Sequence, residues 1–137
     1  DMGASITMAK GAADSGLFPA IAVIGDSTFT HSGMTGLLDA VIDKSNIIVF
    51  ILDNSTTAMT GGQESHATGR IEKICAGLGV EENHIRTIVP KKSTHDRFVE
   101  LIKEELDYEG LSVIIPRREC VQTQLRRAKQ KKAEKGV

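Results

Sequence analysis

Four short apolar runs punctuate the chain: Ala20 to Ile24, Ile47 to Leu52, Ile85 to Val89 and Leu111 to Ile115, all rich in isoleucine and valine. Runs of this length without polar alternation predict strands buried on both faces. Between them apolar positions recur at helical spacing, over Ser5 to Ala13, Met34 to Ile42, Arg70 to Leu78 and Thr94 to Leu106. Strands that alternate with helices predict an α/β fold: a mainly parallel sheet in a three-layer arrangement, flanked by helices and joined by right-handed crossovers. Ser93-Thr94 ahead of Asp96 marks a helix start, and Tyr108-Glu109-Gly110 supplies a glycine stop. The last segment, Glu119 to Lys135, carries one weak apolar stripe (Val121, Leu125, Ala128) among many charges and predicts a solvated helix.

One stretch has no helical or strand period, Asn54 to Gly69, rich in Ser, Thr, Gly, Gln and His. A loop of that length in a compact domain points to function. The 137 residues leave room for one core. Hydrophobic residues at 40% and charged residues at 26% exclude wholesale disorder. No apolar run approaches the roughly 20 residues of a membrane span, and no leader opens the chain, so a cytoplasmic protein is expected. The chain begins at Asp1 in what reads as the middle of a motif, so a piece of a longer polypeptide is expected. Cys75 and Cys120 lack a CxxC or His/Cys cluster and read as ordinary thiols. Net charge is −1 but unevenly spread: residues 1–116 carry 9 basic and 16 acidic side chains, residues 117–137 carry 8 and 2.

In open parallel sheets, ligands collect outside the carboxyl ends of the strands. The first strand ends in Gly25-Asp26-Ser27-Thr28-Phe29 and the second in Leu52-Asp53-Asn54-Ser55-Thr56-Thr57. Neighbouring strands would set these loops face to face. A carboxylate from Asp26, an amide oxygen from Asn54 and a carbonyl from the following turn make half of an octahedral oxygen shell, which suits Mg²⁺ with water and phosphate oxygens completing it. Gly25 permits close backbone approach, and the amides of Ser27 and Thr28, at a helix start, suit phosphates. Residues Thr56 to Gln63 would close over the same anion. The bland reading stands beside this one, because Gly, Asp and Asn are also ordinary turn formers. Neither GxxxxGK[ST] nor GxGxxG is present, which weakens a nucleotide-binding reading.

Gly25-Asp26-Ser27, then 26 residues, then Asn54 resembles the cofactor motif of thiamine diphosphate enzymes, which opens Gly-Asp-Gly and closes on Asn. Met2-Gly3-Ala4-Ser5, GDSTFTHSGMTGLLDAV (25–41), ILDNSTTAMTGGQ (51–63) and SVIIPRREC (112–120) resemble, in the same order, the diphosphate-binding domain of the large subunit of indolepyruvate:ferredoxin oxidoreductases. The wider 2-oxoacid:ferredoxin oxidoreductases share the TGGQ element. The resemblance covers about residues 1–120, which leaves 121–137 as a basic tail.

The resemblance implies that Asp26, the Asn54 side chain and the Thr56 carbonyl hold Mg²⁺. It implies that Gly25, Ser27, Thr28, Ala58, Met59 and Thr60 hold the diphosphate of thiamine diphosphate, and that Met2 and Gly3 meet the aminopyrimidine. Ser27 departs from the glycine of the wider superfamily and resembles the indolepyruvate type. The implied reaction is oxidative decarboxylation of an arylpyruvate to an acyl-CoA. In this superfamily a separate pyrimidine-binding domain supplies the activating glutamate, and iron-sulfur clusters carry the electrons. The chain resembles neither, so the implied partners are that domain, a second subunit of the oxidoreductase and ferredoxin, in an oligomer; clusters and coenzyme A belong on other domains or chains. Half of a non-oxidative thiamine decarboxylase or synthase, and a binding module without catalysis, remain the alternatives.

His31 follows the diphosphate loop in an FxHSG setting; it is the candidate catalytic side chain, for contact with substrate or phosphate, against a structural role at a helix start. His66 could shape the pocket or simply be exposed, and His84 and His95 carry no assignment. The basic tail lacks aromatic stacking residues. It reads as a solvated helix docking on an acidic partner surface, with no nucleic acid and no membrane expected as partner.

Overall fold

A computed structural model of the chain describes residues 3–54 and 69–119 in full, together with the backbone of 56, 57, 63 and 64. The elements follow in order: α1 (Ser5–Asp14), β1 (Ile21–Gly25), α2 (Asp26–Thr28), a π-turn (Phe29–Gly33), α3 (Met34–Ile42), β2 (Ile48–Leu52), β3 (Thr56–Thr57), β4 (Gln63–Glu64), α4 (Ile71–Gly77), a 3₁₀ turn (Glu82–His84), β5 (Ile85–Ile88), a second 3₁₀ turn (Lys92–Thr94), α5 (His95–Asp107) and β6 (Ser112–Pro116). The four predicted strands and the four helices expected between Ser5 and Leu106 form within about a residue of their expected bounds; the helix expected over Glu119 to Lys135 lies outside the described residues. Four strands make one sheet in the order β1-β2-β6-β5, and every pair in it is parallel. Within the stretch that reads as a loop, β3 and β4 pair antiparallel over two residues.

Helices cover both faces. On one, Ile6 and Ala9 of α1, Leu37 and Ala40 of α3, and Ile71 and Cys75 of α4 pack on Ala22, Ile24, Val49, Ile51, Val113 and Ile115. On the other, Leu101 of α5 packs on Ile48, Ile88 and Ile114, with Phe50, Phe98, Ile102 and Leu106 around it. The steps β1 to β2 and β2 to β5 run one way with α3 and α4 on the first face. The step β5 to β6 runs back with α5 on the second, as crossovers of one hand require.

Burial on both faces holds for β6 and most of β2 but not for the edge strands: in β5 only Ile88 is buried, and the residues of β1 alternate. Ala22 and Ile24 face the core, whereas Ile21 and Val23 stay 45% and 54% exposed. The reason is position: β1 is an edge strand, and α5 packs over β2, β6 and β5 only.

The ends of α5 fall where expected but are closed differently. Thr94 does not cap the helix through its side chain; its hydroxyl accepts the Lys91 N–H at 3.0 Å and donates to the Val89 carbonyl at 2.7 Å. Gly110 is no left-handed stop, since Tyr108 ends the helix in extended backbone. A Cβ on Gly110 would lie 2.7 Å from the Tyr108 ring, so glycine is there to admit that ring. The ring in turn stacks on His84, with centroids 3.4 Å apart.

The amino ends of β5 and β6 are tied by one carboxylate. Glu105 of α5, 2% exposed, accepts hydrogen bonds from Arg86 Nη1 (2.9 Å) and Ser112 Oγ (2.7 Å), and its Oε2 lies 2.7 Å from His84 Nδ1. A buried ion is stable only when its partners are in place. Cys75 is free and buried, and burial pushes its thiol up to about 12, so it is inert near neutral pH. Cys120 and the basic tail lie outside the described residues, among which no helix is long and apolar enough to cross a membrane.

Glu105→Ala would leave Arg86 and Ser112 without their shared acceptor. It is expected to lower stability by about 3–5 kcal/mol, read as a shift of the urea midpoint at unchanged slope.

Candidate functional site

β1 and β2 pair from Ile21↔Ile48 to Gly25↔Leu52. The ladder ends at Gly25↔Leu52, so the loop that opens with Asp26 and the one that opens with Asp53-Asn54 leave neighbouring strands at the carboxyl edge of the sheet. At Gly25 the chain is extended (φ −79°, ψ 154°), and from Asp26 it turns into helical backbone that continues through the π-turn into α3. Asp26 is 2% exposed, and its Oδ1 accepts the Ser27 N–H at 2.7 Å.

The π-turn widens the helical run directly after β1, and such turns recur at functional sites. Its packing depends on Gly33, where a Cβ would meet Ile24 Cδ1 at 2.8 Å and Phe29 Cδ2 at 3.0 Å. Thr30 Oγ1 bonds back to the Ser27 carbonyl (3.0 Å) and Ser32 Oγ to the Thr28 carbonyl (3.3 Å). His31 sits on the same turn and is exposed. A Cβ on Gly3 would lie 2.4 Å from Ser32 Oγ, so the segment before α1 lies against this turn.

The fold therefore gathers Gly3, Gly25, Asp26, Ser27, Thr28, His31 and Asn54 at one end of the sheet. Thr56 enters β3 opposite Glu64. Met2, Ala58, Met59, Thr60 and His66 lie outside the described residues.

A second feature of this edge was not legible as a site. Asp53, 2% exposed, meets Arg117 Nε at 2.5 Å, and Arg117 Nη2 meets Glu72 Oε1 of α4 at 2.8 Å. Thr87 Oγ1 of β5 donates to the same Glu72 oxygen at 3.1 Å. Backbone bonds run in parallel: Asp53 N–H to the Pro116 carbonyl (3.0 Å), Arg118 N–H to the Asp53 carbonyl (2.9 Å) and Arg117 N–H to the Ile88 carbonyl (2.8 Å). The Arg117 guanidinium holds the Glu72 carboxyl below the usual range, and the two carboxylates raise Arg117 in return. Sequence reading counts Arg117 among the basic residues of 117–137 and gives it no role, but the structure makes it a strand-tip residue. The available signal was an acid and an arginine at matching places after two fully apolar strands.

Could this edge hold a divalent cation and a diphosphate? Among the described residues no group of three or more His, Cys, Asp or Glu comes together. One carboxylate with neutral oxygens would be a hard donor set of the kind Mg²⁺ takes while keeping water and phosphate oxygens. A buried Asp26 supplies the charge. A Cβ on Gly25 would meet no described protein atom within 4 Å, so the backbone there is open to approach. The residues present fit the group.

Residues 1–115 match the family described as thiamine pyrophosphate enzyme, C-terminal TPP binding domain, and the chain belongs to that family. It is 37% identical over 130 residues to indolepyruvate oxidoreductase subunit IorA of Archaeoglobus fulgidus, and 36% identical over 110 residues to that of Pyrococcus horikoshii. These alignments cover 87% and 73% of this chain but 20% and 16% of the relatives, so the chain spans about a fifth of their length. Among solved structures it resembles a thiamine diphosphate-dependent 4-hydroxybenzoylformate decarboxylase of Rhodococcus jostii RHA1 (TM-score 0.64, 22% identity, 86% of this chain and 23% of that one). The benzoylformate decarboxylase of Polynucleobacter necessarius is similar at TM-score 0.64 and 20% identity, over 87% of this chain and 23% of that one. The two decarboxylases share the fold.

Because Arg117 depresses Glu72, the stability this pair adds is complete above the ordinary carboxylate pKa and fades as pH falls through the lowered one. The Tm gap between wild type and Glu72→Gln is expected to stay constant above about pH 5 and to close below about pH 4, as thermal melts across that range would show.

Proposed function

We propose that this chain is the domain that anchors thiamine diphosphate through Mg²⁺ in a 2-oxoacid:ferredoxin oxidoreductase of the indolepyruvate type. The observation that carries the reading is the parallel register of β1 and β2, which sets buried Asp26 beside the tip that bears Asn54. Likeness to the IorA subunits supports the substrate class, an arylpyruvate.

In this reading Asp26, the Asn54 amide oxygen and the Thr56 carbonyl would hold the ion, which would supply positive charge for the diphosphate. The amides of Ser27 and Thr28, at the open end of the helical run, receive phosphate oxygens, because their N–H groups and the helix dipole favour anions. Gly25 lets the diphosphate approach the backbone; Ala58, Met59 and Thr60 close over it from the other loop, and Met2 and Gly3 border the aminopyrimidine. His31, exposed on the π-turn, faces the substrate side. When bound, the cofactor supplies the electron sink for decarboxylation; this domain supplies its position. The activating glutamate, the iron-sulfur clusters, the coenzyme A site and the contact with ferredoxin belong to other domains or a second subunit, in the cytoplasm. Residues 121–137 act as a docking tail.

Calorimetry with thiamine diphosphate and Mg²⁺ tests the anchor. Asp26→Ala is expected to weaken binding about 100-fold, or ~2.7 kcal/mol, and equal binding by variant and wild type would remove the metal assignment. The chain alone, given an arylpyruvate, the cofactor and an artificial electron acceptor, is expected to show no turnover; steady acceptor reduction would contradict its role as an anchor only.

A further inference from the structure

We propose that the cavity at the amino end of α5 is a second anion site, one that takes a phosphate dianion; it does not depend on the Mg²⁺ reading. The cavity has a volume of about 320 Å³ and is lined by Pro90, Lys91, Lys92, His95, Phe98 and Arg118. It sits by β5, the edge strand farthest from β1 in the sheet. Its volume lies at the small end of the range for ligand sites. Lys91, Lys92 and Arg118 are permanent cations, His95 can become a fourth, no lining side chain is acidic, and Pro90 and Phe98 supply an apolar wall.

Such a gathering of positive charge runs against the rest of the chain in two ways. Residues 1–116 carry 16 acidic side chains against 9 basic ones, and Lys10, Arg86, Arg97 and Arg117 each pair with carboxylates. Among the described residues, Lys91, Lys92, His95 and Arg118 make no ion pair with a carboxylate. Asp96 and Glu119, their neighbours in sequence, do not line the cavity. The helix dipole also disfavours cations at an amino end, yet Asp96 is the sole acid in the first turn of α5. Local rules are broken chiefly at functional sites, and an anion in the cavity would offset both costs at once.

The cations are held in place. The Thr94 hydroxyl accepts the Lys91 N–H at 3.0 Å and donates to the Val89 carbonyl at 2.7 Å, which fixes the turn that carries Lys91 and Lys92. Successive residues of an extended chain point to opposite sides. Arg117 accordingly reaches Glu72 of α4, while Arg118 joins Phe98 of α5 in the cavity wall and sets its Nη1 3.5 Å from the Pro90 carbonyl. Phe98 is braced in turn by the Phe50 ring, edge to face with centroids 6.4 Å apart. Arginine offers phosphate oxygens a planar fork, and lysines add point charges. A carboxylate would balance only one of these charges, whereas a phosphate dianion balances two. Free phosphate and a phosphomonoester present the same dianion, and the apolar wall would touch the organic group of the ester alone.

NMR titration of the backbone amides tests this, with inorganic phosphate and phenyl phosphate as probes at one fixed ionic strength so that screening is constant. At least one probe is expected to shift the amides of Lys92, His95, Phe98 and Arg118 in a single saturable event, with a Kd of about 1 mM or tighter. Phenyl phosphate binding about fivefold or more tightly than phosphate assigns the site to a phosphomonoester; any smaller difference assigns it to free phosphate, and both support the proposal. Lys92→Gln combined with Arg118→Gln, both at exposed positions, is expected to weaken binding at least tenfold with an unchanged circular dichroism spectrum. Asp26→Ala is expected to bind the probes as wild type does. Absence of saturable binding, or a loss below tenfold in the double variant, overturns the proposal. So does loss of binding in Asp26→Ala, which would put the phosphate at the cofactor edge. Should the double variant not fold, Lys92→Gln alone carries the test, with threefold or greater weakening supporting the site and any smaller change overturning it.

Discussion

Everything at the carboxyl edge depends on two strands lying side by side in one register. The β1–β2 pairing is set by apolar residues that must face inward, Ala22 and Ile24 on one strand, Val49 and Ile51 on the other. A slip of one residue would turn every side chain of a strand to the opposite face and carry its tip about 3.3 Å along the axis. That the loops after β1 and β2 leave the sheet side by side is therefore an outcome of core packing.

The two ends of the sheet are built differently. At the amino ends of β5 and β6, Glu105 collects Arg86, Ser112 and His84 into a closed, buried knot with Tyr108 stacked over it. At the carboxyl ends, charge is divided between a neutralised pair, Asp53 with Arg117, and a buried carboxylate at the start of a helical run. A frame locked at one end and polar at the other suits a domain whose task is to hold a reactive molecule still while chemistry happens above it.

Fold class was legible because Ile- and Val-rich runs and helical spacing agree along the whole chain, and the helices at Ser5 and Met34 begin at the residues the pattern marks. Asp26 and Asn54 were marked as candidates because loops after strands are where such sheets bind, and what the fold adds is that β1 and β2, which these loops follow, are neighbours. What escaped had non-local causes. Exposure of Ile21 and Val23 depends on strand order, which no local pattern encodes. Arg117 looked like part of a charged tail because its partners, Asp53 and Glu72, are 64 and 45 positions away. Gly110 looked like a helix stop because proximity to the Tyr108 ring leaves no mark in sequence.

The turn from Phe29 to Gly33 sets the phase of everything downstream of it. Each helical residue winds the chain by about 100°, so removing a single position between Phe29 and Gly33 would rotate α3 by that angle and swing Leu37 and Ala40 off the sheet. The extra residue works as an angular spacer, letting one continuous rod present its first turn to the edge while its later turns seat on the core. Length in this short stretch is thus constrained as tightly as the identities of Phe29 and Gly33, and at the outward positions between them homologous domains should tolerate substitution far better than insertion or deletion.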